Sequence, residues 1–355
     1  MIEELIARIQ SASANKTPLC IQGGATKSWY GQTPQGEILD TRSYAGILDY
    51  DPTELVITAR CGTLLSDIQK SLAAQQQMLA FEPPAFGGNA TIGGVIAAGL
   101  SGPRRAYAGG VRDFVLGAVL LNGHGERLVF GGQVMKNVAG YDVSRLLVGS
   151  MGCLGLILEV SLKVLPLPRS EISLSFDMTQ ETANAAIAQL NRWAGKPLPF
   201  SASSWENNQL IVRLSGSEAA THAAQVLLGG ERLTSLEADQ HWTSIREQTH
   251  PFFQDQSTIW RLSLPSTVPH LELGGNQLIE WGGAQRWLVN PSQTAEQLRL
   301  TVRACGGHAT LFKGGDKQAG VFQPLPATLM TIHRRLKSAF DPSGIFNPGR
   351  LYAEL

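Results

Sequence analysis

Gly87-Gly88-Asn89-Ala90-Thr91-Ile92-Gly93-Gly94-Val95-Ile96-Ala97-Ala98-Gly99 opens the part of the chain where glycine is densest. Thirteen glycines fall in the forty-six residues from Gly87 to Gly132. A glycine inside a helix or strand costs roughly 0.5–1 kcal/mol relative to alanine, so such a density is read as loop-built structure with a reason in backbone geometry. Within the stretch Thr91 stands where it would cap a short helix, and the N-terminus of that helix would offer unpaired N–H groups and a favourable dipole to an anion. Close packing of a small-residue helix against a sheet is the other reading.

Upstream, a short strand from Pro18 to Ile21 runs into Gln22-Gly23-Gly24-Ala25-Thr26-Lys27-Ser28. That loop combines a tight turn, free main-chain N–H groups, two hydroxyls and a cation, a set that suits a pyrophosphate; a plain turn is the alternative. Two glycine loops about sixty residues apart favour a ligand with two phosphates over either loop acting alone. Neither GxGxxG at a strand-to-helix turn nor GxxxxGK[ST] occurs, so the nicotinamide-type and P-loop sites lose ground and a dinucleotide site of another construction remains.

The spacing predicts an opening helix in MIEELIARIQ and strands at Glu37 to Asp40 and Leu55 to Arg60. Thr63 is read as the cap of a helix carrying Leu65, Ile68 and Leu72 on one face. Val115 to Leu121 and Glu126 to Phe130 flank Asn122-Gly123-His124-Gly125, a hairpin signal. A further strand, Leu154 to Leu165, stops at Pro166 and Pro168, which mark the domain boundary. Beyond it, strands at Ile172 to Phe176, Gln209 to Leu214, Ile259 to Leu264 and Gln285 to Leu288 alternate with helices at Glu181 to Trp193, Glu218 to Leu228 and Thr294 to Ala304. This pattern is expected to form an α+β sheet with helices on one face.

At 355 residues the chain exceeds the size at which one core usually stops growing, so two domains are expected. Lys plus Arg equals Asp plus Glu at 29 each, leaving no overall field to attract nucleic acid or an anionic membrane. Cys20, Cys61, Cys153 and Cys305 are far apart with no CxxC pair, which argues against zinc, an iron–sulfur cluster or a redox dithiol and for buried thiols in a reducing compartment. The N-terminus lacks the basic-then-apolar order of a signal peptide, and the expected location is cytoplasmic. The longest apolar stretch, Leu146 to Leu158, is interrupted by glycines and falls short of the roughly 20 residues that span a bilayer.

Several runs together resemble the vanillyl-alcohol-oxidase (PCMH) type of FAD-binding domain. They are Asp51-Pro52-Thr53-Glu54-Leu55-Val56, Ala90 to Gly94, Val111-Arg112-Asp113-Phe114-Val115-Leu116-Gly117, Gly140-Tyr141-Asp142, Gly149 to Gly155, and the tail Phe340-Asp341-Pro342-Ser343-Gly344-Ile345-Phe346-Asn347-Pro348-Gly349-Arg350. Within that superfamily the chain is most similar to the smaller FAD-binding subunits of bacterial glycolate oxidase, through its length, the Gly307 to Phe312 segment and Trp260-Arg261-Leu262. The resemblance implies an α+β protein: a two-lobed FAD-binding domain over residues 1–168, then a smaller FAD-linked oxidase domain over 169–355 whose tail, 340–355, returns to the first. It also implies FAD as cofactor, a larger FAD-containing catalytic subunit and an iron–sulfur subunit as partners, and oxidation of glycolate to glyoxylate, with D-lactate as a further substrate. Its location would be cytoplasmic, peripheral at the inner face of the membrane through those partners.

Carried over by position, Gly23, Gly24, Ala25, Thr26, Lys27 and Ser28 would hold the pyrophosphate. Pro83, Pro84, Ala90, Thr91, Ile92, Gly93 and Gly94 would line the diphosphate and flavin. Gly140 and Tyr141 would lie near the ring, Tyr141 reading equally as a core aromatic, and Gly152, Gly155 and Ile157 near the adenine. The first loop holds no His or Cys, so non-covalent binding is expected. Oxidising a 2-hydroxy acid needs a base, a cation for the carboxylate and the substrate carbon against the flavin. His308 is the candidate base, with Arg261 and Lys313 as cations; each also reads as an ordinary structural or surface residue. The seven histidines form no HxH or HExxH, so no metal site is expected. Met151 stands where catalytic relatives carry Glu. Two other functions stay open: an interaction subunit that keeps the FAD fold, and a stand-alone flavin oxidase of another alcohol.

Overall fold

The computed structural model describes residues 2–132, 142–254 and 256–355. Its contacts divide the chain into two units. One comprises Met1–Leu100, Gly110–Pro166 and Pro324–Leu355; the other comprises Ser101–Gly109 and Leu167–Gln323.

The first unit is built on a five-stranded antiparallel sheet in the order Ile47–Asp51, Val56–Arg60, Leu156–Lys163, Val115–Leu121, Arg127–Gly131. The central strand reads LILEVSLK and is buried on both faces over most of its length, as a near-continuous apolar run requires. The edge strand Arg127–Gly131 alternates exposed and half-buried residues. Helix Ile2–Asn15 packs Leu5, Ile9 and Ala12, one helical face, against Leu156, Leu158 and Phe346. The hairpin forms between Val115–Leu121 and Arg127–Gly131, where the Asn122 side-chain oxygen accepts from the N–H groups of His124 and Glu126 at 3.0 and 2.9 Å.

Helix Leu65–Ala73 buries Leu65, Ile68 and Leu72 as the spacing predicts, but Thr63 does not cap it. Its hydroxyl accepts from the Gly46 N–H at 2.9 Å and donates to the Gly46 carbonyl at 3.1 Å, so both capacities are satisfied across the chain and Leu64 occupies the cap position. Thr91 does cap helix Ile92–Ala98, its Oγ1 accepting from Gly94 N–H at 3.4 Å. Gly99 ends that helix at φ 65°, a left-handed position where glycine carries no Cβ penalty.

The C-terminal tail completes this unit. Phe346 forms a parallel bridge with Leu19, so strand Leu19–Gln22 lies between the tail and the parallel strand Glu37–Asp40. Under the tail, Lys337 and Asp341 are 8 % and 1 % exposed. The Lys337 ammonium donates to Asp341 Oδ2 at 2.7 Å and to the carbonyls of Cys153 and Phe346 at 2.8 and 2.6 Å. The Asp341 carboxylate also accepts from the N–H groups of Ile345 and Phe346.

The second unit is an eight-stranded antiparallel sheet in the order Glu231–Arg232, Ser170–Asp177, Gln209–Gly216, Phe200–Glu206, Asn276–Glu280, Gln285–Val289, Thr258–Ser263, His308–Gly314. Helices cover both faces, not one. Leu210, Val212 and Leu214 pack against Ile187, Leu190 and Trp193 of helix Ala183–Ala194. Ile211, pointing the other way, packs with Ala202 against Trp242 of helix Ser235–Glu247. The Trp242 indole N–H donates to Ser173 Oγ at 2.9 Å, satisfying a buried polar atom under that second layer.

Candidate functional site

In the first unit a cleft of about 640 Å³, its open mouth included, is lined by Cys20 to Ser28, Pro34, Thr91, Gly94, Ala97, Ala98, Met151, Asn347 and Arg350. A second cleft of about 390 Å³ shares Ile21, Gly23, Gly94, Ala97, Met151 and Asn347 with it and adds Thr41, Cys61, Gly93, Gly152, Gly155 and Ile157. The two clefts adjoin through these shared residues.

Side-chain-free positions bring the loops together. A Cβ on Gly24 would overlap the Asn89 carbonyl oxygen, and one on Gly23 would overlap Thr91 Oγ1. The two glycine loops therefore touch, main chain against main chain. Gly23, Gly24, Ala25 and Thr26 have N–H groups that make no hydrogen bond to the described residues. Lys27 and Arg350 supply positive charge, and no Asp or Glu lines the main cleft. Unpartnered donors, two cations and no acid suit a diphosphate and exclude a cationic ligand.

The 87–99 loop contributes shape more than donors. The Ile92 N–H donates to the Thr63 carbonyl and the Gly93 N–H to the Cys61 carbonyl, both at 2.9 Å, while the Ala90 carbonyl accepts from Leu65 N–H at 2.8 Å. A Cβ on Gly93 would stand 2.6 Å from Cys61 Cβ. Close packing is thus the reason for Gly93, and the anion-binding reading belongs to the first loop.

Of the residues expected at the cofactor, Gly23 to Ser28, Thr91, Gly93, Gly94, Gly152, Gly155 and Ile157 line the paired clefts. Pro83, Pro84, Ala90 and Ile92 are buried and do not line them; the prolines have no N–H to offer, and the polar groups of the other two hold the loop. Gly140 and Tyr141 lie outside the described residues. Asn347 and Arg350 belong to the tail motif visible in the sequence, but no local spacing signals their place in the cleft. The Asn347 side chain accepts from the Ile21 N–H at 2.7 Å and donates to the Met151 carbonyl at 2.6 Å, clamping both walls of the site. Burial pushes the thiols of Cys61 and Cys153 up to about 12 and about 11, so both are protonated at neutral pH and serve as small apolar groups.

The catalytic candidates lie in the second unit. Arg261 pairs with Thr310 and Ser263 with His308 across adjacent strands, which places Arg261 and His308 on one face of the sheet. His308 stands at the exposed start of its strand; partial desolvation of its ring and then the Arg261 charge lower its pKa, so the imidazole is neutral at pH 7. The Arg261 guanidinium stands 5.5 Å from the centroid of the Phe312 ring. Lys313, opposite Ile259 at the other end of the strand, is exposed. No group of three or more His, Cys, Asp or Glu able to hold a metal occurs among the described residues.

Residues 1–131 match the family described as FAD binding domain, and residues 313–351 match FAD linked oxidases, C-terminal domain. The glycolate oxidase subunit GlcE of Escherichia coli (strain K12) is 50% identical over 99% of this chain and 98% of that protein. The D-lactate dehydrogenase of Anaerostipes hadrus is 33% identical over 48% of this chain and 36% of its own length. The 4-ethylphenol oxidase of Gulosibacter chungangensis has a similar fold, with a TM-score of 0.71 at 14% identity, covering 99% of this chain and 88% of that one.

Proposed function

We propose that this chain, which belongs to the FAD-linked oxidase family and within it to the group of the glycolate oxidase subunit GlcE, is the smaller flavin-binding subunit of a complex that oxidises glycolate to glyoxylate. The observation that carries the reading is the acid-free cleft of the first unit, lined by Lys27, Arg350 and the Gly23–Thr26 loop, whose four N–H groups make no hydrogen bond to the described residues. These residues fit FAD. The N–H groups of Gly23 to Thr26 would donate to its diphosphate, and Lys27 and Arg350 would balance the charge. Gly94, Ala97, Gly152, Gly155 and Ile157 would line the rest of the cofactor with small or apolar surface.

Bound flavin supplies a two-electron acceptor for oxidation of a 2-hydroxy acid. Such an oxidation also needs a cation for the substrate carboxylate and a base for its hydroxyl proton, roles for which Arg261 and His308 are this chain's candidates. Binding is non-covalent, since the first loop carries neither His nor Cys. The partners in this reading are a larger FAD subunit and an iron–sulfur subunit, which would hold the chain at the inner face of the membrane. No helix of the described residues is long and apolar enough to cross a membrane.

A second reading, a subunit that keeps FAD but mainly scaffolds its partners, is favoured by Met151 lining the cleft where catalytic relatives carry an acid and by the separation of Lys313 from the other two candidates. Adding glycolate to the purified, flavin-loaded chain distinguishes them. Bleaching of the flavin bands is expected if this chain carries the chemistry, and bands that bleach only when the partner subunits are present would favour the scaffold.

A further inference from the structure

Arg350 is 6 % exposed, lines the cleft and has no carboxylate partner among the described residues. Its guanidinium donates only to main-chain oxygens: to Gln32, to Ser28 at 2.8 Å and to Lys27 at 3.4 Å. A guanidinium has five N–H donors, so Nε–H and one Nη1–H have no described partner. A buried cation without a counter-charge is unfavourable, and an anion in the cleft is the arrangement that relieves it. Burial lowers its pKa from the ordinary arginine value, as expected for a cation short of acidic neighbours.

The position of Arg350 depends on the tail. Its N–H donates to the Asn347 carbonyl at 3.2 Å, and Asn347 is itself clamped to Leu19, Ile21 and Met151. Gly31, at φ 81°, makes room for it, because a Cβ there would come within 3.1 Å of the Arg350 carbonyl oxygen. The carbonyls that Arg350 holds belong to the segment that directly follows the unpartnered N–H groups of Gly23 to Thr26. One side chain thus holds the segment that follows the loop and places a cation in the lining of the same cleft.

We propose that Arg350 is an anion-binding residue of this cleft, delivered by the C-terminal tail: it fixes the Lys27–Gln32 segment through its carbonyls and directs its remaining donors at the diphosphate. Retention of the dinucleotide then depends on a docked tail. The proposal rests on the reading of the cleft as an FAD site.

The test titrates flavin-free full-length chain with FAD, read by flavin fluorescence, over a salt series for wild type, Arg350→Gln and Arg350→Lys, with circular dichroism to establish folding. Arg350→Gln is expected to weaken FAD binding about 10- to 100-fold, the worth of a charged hydrogen bond, and to flatten the slope of log Kd against log salt. Arg350→Lys is expected to keep the wild-type slope but bind more weakly, because an ammonium does not bridge the carbonyls of Ser28 and Gln32 as a planar fork does. Wild-type affinity in either variant overturns the proposal, as does a loss in Arg350→Gln with the slope unchanged, which marks a purely structural role. If Arg350→Gln does not fold, the Arg350→Lys arm decides. Absence of saturable FAD binding by the wild-type chain overturns the reading of the cleft itself.

Discussion

Replacing Lys337 by methionine removes the cation of a buried ion pair while keeping much of its volume. The ammonium makes three hydrogen bonds, to Asp341 and to the carbonyls of Cys153 and Phe346, and its loss leaves a carboxylate that is 1 % exposed with only two main-chain N–H partners. Breaking one partner of a buried pair costs about 3–5 kcal/mol, because the remaining charge stays buried without compensation. For a unit of this size each kcal/mol lowers Tm by about 2–4 °C, so a fall of about 6–20 °C is expected. Thermal melts of wild type, Lys337→Met, Asp341→Asn and the double variant measure it. The double variant should be less destabilised than the two single changes added together, since it leaves no lone buried charge. A Lys337→Met protein within about 1 kcal/mol of wild type, or strictly additive singles, would refute the account of how the tail is held.

Gly24→Ala should abolish FAD binding, since its Cβ would overlap the Asn89 carbonyl, whereas Gly88→Ala, with nothing within 4 Å of the added carbon, should bind FAD as wild type does; equal affinities in a titration would contradict the loop-on-loop packing. Thr91→Val should cost about 1 kcal/mol of stability in urea unfolding through loss of the helix cap, with no change counting against the cap. His241 is held down to about 4 by burial, with His250 and Arg213 adding to it, so the unfolded chain binds a proton that the folded chain does not between about pH 6.5 and 4. Stability should therefore fall as pH drops through that window, and His241→Asn should flatten the dependence of the urea midpoint on pH; an unchanged slope would show that the imidazole is not the group responsible.

What was legible in the sequence was what short-range geometry decides. Thr91 caps its helix three residues on, and Asn122 bonds within its own turn, so both could be read from spacing. Thr63 had the same local signature, yet its hydroxyl is claimed by Gly46, seventeen positions upstream, and no local rule weighs that competition. The strand Phe200–Glu206 escaped because FSASSWE is rich in serine and reads as loop, although all but its end residues are buried. Ile211, between Leu210 and Val212, did carry a sign of burial on both faces, but helix Ser235–Glu247 buries only Trp242 and Ile245 and gave too sparse a stripe to reveal the second layer. In the site, the glycine loop was readable from composition. Asn347 and Arg350 were not, since they meet the loop across more than three hundred residues.

The most direct test of the central claim is the visible spectrum of the purified chain, followed by denaturation to release what it holds. The account predicts flavin bands corresponding to about one FAD per chain, bound in the acid-free cleft of the first unit, and full release of the flavin into the soluble fraction on unfolding. A colourless chain that takes up no FAD on titration would contradict it.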